Sequence, residues 1–160
     1  MILQIVGFKN SGKTTIVAHA VQFFKSKGYP VVTIKHHGHK GEEITLPDAS
    51  VDHMKHFLAG AEQSIVQGHQ FIETIQKKNE GITLETLIKD CVTIENSIIL
   101  VEGYKHAHYD KLILYRDDKE LAELNQLTGV KYRLQRHESE IDFEQVDHML
   151  MTWLSELEDG

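Results

Sequence analysis

The side chains best suited to chemistry in this chain of 160 residues sit within its first fifteen positions. Gly7-Phe8-Lys9-Asn10-Ser11-Gly12-Lys13-Thr14-Thr15 meets the pattern G-x-x-x-x-G-K-[ST] in full, and β-branched Ile2, Ile5 and Val6 precede it. Strand, loop and helix start follow one another as polyphosphate binding requires. Glycines let the backbone fold back so that successive N–H groups point inward, and the helix behind them offers unpaired N–H groups and its positive dipole end. Lys13 is expected against the β- and γ-phosphates and the Thr14 hydroxyl on Mg²⁺, with Gly7, Lys9, Asn10, Ser11, Gly12 and Thr15 completing the cradle.

Two further stretches carry chemistry. Ile98-Ile99-Leu100-Val101 ends in Glu102, the form of an apolar strand that delivers a carboxylate beside the phosphate loop to hold Mg²⁺ or its water shell. Aspartate is the usual residue there; glutamate reaches one methylene further, so it can act through water or as a base, and Glu102 joins Lys13 as a candidate catalytic group. The bland alternative is a charged strand end. The second stretch, Lys35-His36-His37-Gly38-His39, follows a β-branched run, and eleven histidines in all are many for this length. Structural zinc wants cysteine or four defined ligands, and Cys91 is the only cysteine, so a solvated or substrate-facing loop is expected. Within Leu84-x-x-Leu87-Ile88-x-x-Cys91 the thiol reads as buried filler.

The elements that must position these groups follow from periodicity. A helix of about four turns runs from Thr14 to a C-cap at Gly28, and Val31 to Ile34 form a second strand, parallel to the first and buried on both faces. Asp48 or Ser50 caps a helix with Val51, Met54, Phe57 and Leu58 on its apolar side. Short strands are expected over residues 63–67 and 70–75, a helix from Thr83 to Cys91, strands at 97–103 and 112–115, a short helix about Leu121 and a last strand over 130–134. Asp142 caps a final helix that buries Met149, Leu150, Trp153, Leu154 and Leu157. The pattern is α/β: one phosphate-loop nucleotide-binding domain over 1–160, with a mostly parallel sheet and helices on both faces.

Residues 1–116 carry 13 basic and 12 acidic side chains and residues 117–160 carry 4 and 12. No basic stripe that would displace counterions from a nucleic acid is present, so the acidic end suits solubility or a basic protein partner. No apolar run approaches the roughly 18 residues of a membrane span. A chain that opens on a core strand leaves no room for a signal peptide, and a cytosolic protein is expected.

Together with Asp48 to His53 and Ala59-Gly60-Ala61, the phosphate loop, Lys35-His36-His37-Gly38-His39 and Glu102-Gly103-Tyr104-Lys105 resemble the molybdopterin-guanine dinucleotide biosynthesis protein B family. The joint occurrence of Lys-His-x-x-His and Glu-Gly-Tyr-Lys is what makes the likeness specific. The resemblance implies a homodimeric cytosolic adapter that binds GTP with Mg²⁺, hydrolyses it weakly, and assists the guanylyltransferase that attaches GMP to molybdopterin. Lys35, His36, His39, Tyr104 and Lys105 are then expected to face one cleft, where a second anionic ligand such as the pterin phosphate is received. A family carboxylate is replaced here by Thr45, which leaves Asp48 as the further metal candidate. No Asn-Lys-x-Asp guanine reader occurs, so guanine preference rests on the resemblance. Two rival functions remain open: a small-molecule kinase, which needs a clamp of arginines where only Arg116, Arg133 and Arg136 exist, and a metal-delivery GTPase using the histidine loop.

Overall fold

Leu3, Ile5 and Val6 are each buried, on both faces of a strand, and this places β1 (Ile2–Gly7) in the middle of a sheet. The computed structural model describes residues 1–37, 43–78, 81–137 and 141–158. The other strands are β2 (Val31–Lys35), β3 (Gln63–Gln67), β4 (Ile72–Gln76), β5 (Ile98–Glu102), β6 (Asp110–Tyr115) and β7 (Val130–Gln135). Five of them form a wholly parallel sheet in the order β2-β5-β1-β6-β7, while β3 and β4 make a separate antiparallel hairpin.

The helices are α1 (Lys13–Ser26), α2 (Asp52–Leu58), α3 (Leu84–Cys91), α4 (Asp118–Leu124) and α5 (Phe143–Glu158). Strand side chains alternate between faces, so Leu3, Ile5, Leu100, Leu112 and Leu114 form one apolar layer, which Phe24 of α1 and Trp153 of α5 cover. On the opposite face Leu84 of α3 meets Ile99 and Val101, and Leu124 of α4 meets Val6 and Ile113. Trp153 stays satisfied in this core because its Nε1 donates to Asp110 Oδ2 at 2.9 Å. Asp142 caps α5 as its spacing predicts, its Oδ1 accepting from Gln145 N at 2.9 Å, and Asp117 caps α4 in the same way.

Several expectations need correction. β2 is an edge strand with partly exposed side chains, because β5 inserts between it and β1. A β-branched run records a preference for extended backbone, and neighbours decide burial. Cys91 is exposed at the end of α3, not buried filler: Leu84, Ile88 and Val92 face the sheet instead. Leu157 is more than a third exposed on α5. α2 begins after Val51 with no side-chain cap, since Asp48 Oδ1 is used one turn earlier to accept from Ser50 N at 2.8 Å.

Candidate functional site

The phosphate loop leaves β1 at the carboxyl edge of the sheet, where ligands bind in open parallel sheets. A Cβ on Gly7 would stand 2.6 Å from Ser11 Oγ and 2.7 Å from Leu114 O, so only glycine lets the loop turn this tightly against β6. Asn10 and Gly12 both adopt positive φ, at 60° and 86°, which folds the loop back on itself. The N-terminus of α1 carries no side-chain cap and no acidic residue in its first turn, an arrangement suited to an anion. Ser11 Oγ is buried beside them without a hydrogen-bond partner. Lys13 Nζ arches back to donate to Phe8 O at 2.6 Å. Burial lowers the Lys13 pKa from its ordinary value of 10.5; nearby Glu102 opposes that shift and Lys35 adds to it.

β5 is hydrogen-bonded to β1 with Glu102 opposite Ile5, and to β2 with Glu102 opposite Lys35. That register delivers three chemistry-bearing groups to one point. Thr14 Oγ1 lies 3.1 Å from each Glu102 carboxylate oxygen, and Lys35 Nζ lies 3.4 Å from Oε1. A hydroxyl and a nearly buried carboxylate so placed have the oxygen chemistry of a Mg²⁺ site. They fit the ion expected beside a polyphosphate.

The chain after β5 turns through Gly103, at φ 97°, whose Cβ would lie 3.2 Å from His36 Cβ. Closeness there brings the next residue over the histidine: the Tyr104 and His36 rings stack with centroids 4.3 Å apart and 23° between planes. Tyr104 pays for the position with φ 50°, a backbone state that bulky side chains rarely adopt. Partial burial, with the neighbouring Lys78 and His37, lowers the His36 pKa and so favours the neutral form of the stacked imidazole.

Sequence reasoning missed what supports this turn. Gln4 and Lys111 are paired in register on adjacent strands β1 and β6, both fully buried. Gln4 Nε2 donates to Gly103 O at 3.0 Å and Tyr104 O at 2.8 Å, while Lys111 Nζ donates to Ala107 O and Tyr109 O. The signal was present as two polar residues inside apolar runs, Ile2-Leu3-Gln4-Ile5 and Lys111-Leu112-Ile113-Leu114. Gln4→Leu should therefore orphan two carbonyls and lower stability by about 1 to 3 kcal/mol, with faster amide exchange confined to residues near 103–107. Urea unfolding with exchange mass spectrometry reads both; unchanged exchange in that turn would remove the supporting role.

The phosphate loop, Lys35, His36, Glu102, Tyr104 and Lys105 line one cleft of about 1020 Å³. His37 and His106 join them. Thr15 lies in the first turn of α1 and does not line the cleft. Asp48 is exposed and outside it, engaged with Ser50, and His39 lies outside the described residues. Among the described residues no three of His, Cys, Asp and Glu converge as a metal cluster.

A family model described as molybdopterin guanine dinucleotide synthesis protein B matches residues 2–131. The chain belongs to this family. Among its relatives, the probable molybdopterin-guanine dinucleotide biosynthesis adapter protein of Bacillus subtilis is 32% identical over 141 residues, 87% of this chain and 80% of that one. The solved structure of Bacillus subtilis MobB superposes with a TM-score of 0.71 at 27% identity, covering 94% of this chain and 96% of the other. That of a MobB homolog from Bacillus stearothermophilus gives 0.72 at 22% identity over 99% of each chain. The fold is thus the parallel, P-loop NTPase-like α/β fold of MobB proteins. The matched region takes in the phosphate loop, Lys35-His36 and Glu102 to Lys105; α5 lies beyond it. No described helix is long and apolar enough to cross a membrane.

Proposed function

We propose that this protein is a GTP-binding adapter in molybdopterin guanine dinucleotide synthesis: it holds GTP with Mg²⁺, hydrolyses it weakly, and presents the cleft to a guanylyltransferase and its pterin substrate. The observation that carries the reading is the convergence of the phosphate loop, the Thr14–Glu102 pair and the His36–Tyr104 stack in one cleft. Residues of the loop would hold the phosphates, and Thr14 with Glu102 the metal, which supplies charge neutralisation when bound. The flat aromatic stack with Lys35 and Lys105 beside it suits a second ligand that is planar and anionic. A second copy of the chain belongs to the same reading, and Ile65, Phe71 and Ile72 of the β3–β4 hairpin, 65%, 79% and 70% exposed, are the apolar surface it would cover.

The test is a coupled assay of guanine dinucleotide formation with transferase, molybdopterin and limiting adapter, the adapter's mass being checked by sedimentation for two chains. His36→Ala and Lys105→Ala should each spare GTP affinity and slow product formation about tenfold, the loss of one stacked or charge-assisted contact. Wild-type rates from both variants would make the cleft a solvated rim and sink the adapter mechanism at this surface.

A further inference from the structure

Arg136 lies just beyond β7, yet its guanidinium packs against the phosphate loop. Cζ, Nη1 and Nε stand 3.1, 3.2 and 3.3 Å from where a Cβ on Gly12 would be, so the glycine that caps α1 also makes room for this side chain. The Arg136 N–H donates to Tyr115 O at 2.7 Å, which pins the residue to the end of β6. Nη1 is buried there without a hydrogen-bond partner. Arg116, on the same side of the sheet's edge, differs: its Nε donates to Glu120 Oε1 at 2.8 Å and its backbone N to Oε2 at 2.9 Å. The partly buried guanidinium thus lies against the loop with part of its donor capacity unused, a cation beside a loop of the anion-binding type, just outside the lining of the cleft described above.

Strand order says which part of the ligand that is. Along the carboxyl edge the strands run β2-β5-β1-β6-β7, and Glu102 with Lys35 ends β5 and β2 on one side of the loop. On the reading above, the metal and outer phosphates lie on that side. The inner end of a nucleotide laid across the loop then points the other way, toward β6, β7 and Arg136. We propose that Arg136 anchors the nucleoside monophosphate half of the nucleotide, its guanidinium donating to an oxygen of the α-phosphate or sugar. This rests on the nucleotide-binding reading and adds to it a group that separates the inner half of the ligand from the outer.

Calorimetric titration of wild type, Arg136→Ala and Arg136→Lys with GTP, GMP and inorganic pyrophosphate tests it. Arg136→Ala should weaken GTP and GMP by the same factor, about tenfold, for one charge-assisted contact. Pyrophosphate affinity should not change, which also reports that the loop is still folded, and Arg136→Lys should recover part of the loss. A fall in pyrophosphate affinity equal to that for GTP would make Arg136 a prop beneath the loop; a loss confined to GTP, or no loss, would equally overturn the proposal. Wild-type protein that binds neither GTP nor pyrophosphate would instead overturn the nucleotide reading itself.

Discussion

Lys13→Ala is expected to cost GTP affinity on the order of tenfold to a hundredfold while leaving GMP within about a factor of three, since charge-assisted contacts contribute about 1.5 to 3 kcal/mol. The ammonium is placed for this. It is held over the loop by Phe8 O at 2.6 Å, on the side of the loop where Glu102 and Lys35 stand, and on the proposed reading that is the side of the outer phosphates. The side chain adds little to the core, and the fold should persist in the variant. A pH dependence follows from the same burial. Anions bind the protonated ammonium, whose pKa in the free protein is lowered from 10.5, so wild-type GTP affinity should decline as pH rises through that lowered value. In Lys13→Ala this alkaline decline should be absent. Equal losses for GTP and GMP in calorimetry would show that Lys13 does not discriminate by phosphate number.

Glu102→Gln should abolish most of the affinity that Mg²⁺ adds to GTP, a loss of about tenfold or more, and leave Mg²⁺-free binding nearly unchanged. The carboxylate is almost wholly buried at the end of β5, with Thr14 Oγ1 at 3.1 Å from both oxygens and Lys35 Nζ at 3.4 Å from one. Glutamine keeps the shape and still accepts from the Thr14 hydroxyl, so geometry is preserved while the charge a hard cation needs is lost. A Mg²⁺ titration of GTP affinity is the measurement. If the variant and wild type gain equally from Mg²⁺, Glu102 is a strand-end charge paired with Lys35 and another group holds the ion.

The parts of this molecule that are legible in the amino-acid order are those whose cause is local. From Ile2 to Ser26 the strand, the loop and the helix follow each other without a break, and each is dictated by residues within a few positions: β-branched side chains, glycines at the turn, apolar spacing on α1. Asp142 as a cap, and β5 with its terminal Glu102, are legible for the same reason. Tertiary structure decided what depends on which strands become neighbours. Extended segments all prefer similar backbone, so periodicity does not say that β5 separates β2 from β1, and with that pairing came both the exposure of β2 and the meeting of Lys35, Thr14 and Glu102. Which face of α3 turns inward likewise settled that Cys91 is exposed. Gln4 and Lys111 look like blemishes in apolar strands until the register places them side by side beneath the turn that carries Tyr104. Arg136 is one cation in an acidic tail until β7 joins the sheet's far edge and lays it on Gly12. Contacts of this kind arise from pairing between segments well separated along the chain, where local conformational preference has no reach and only the packing of the whole sheet selects the partner.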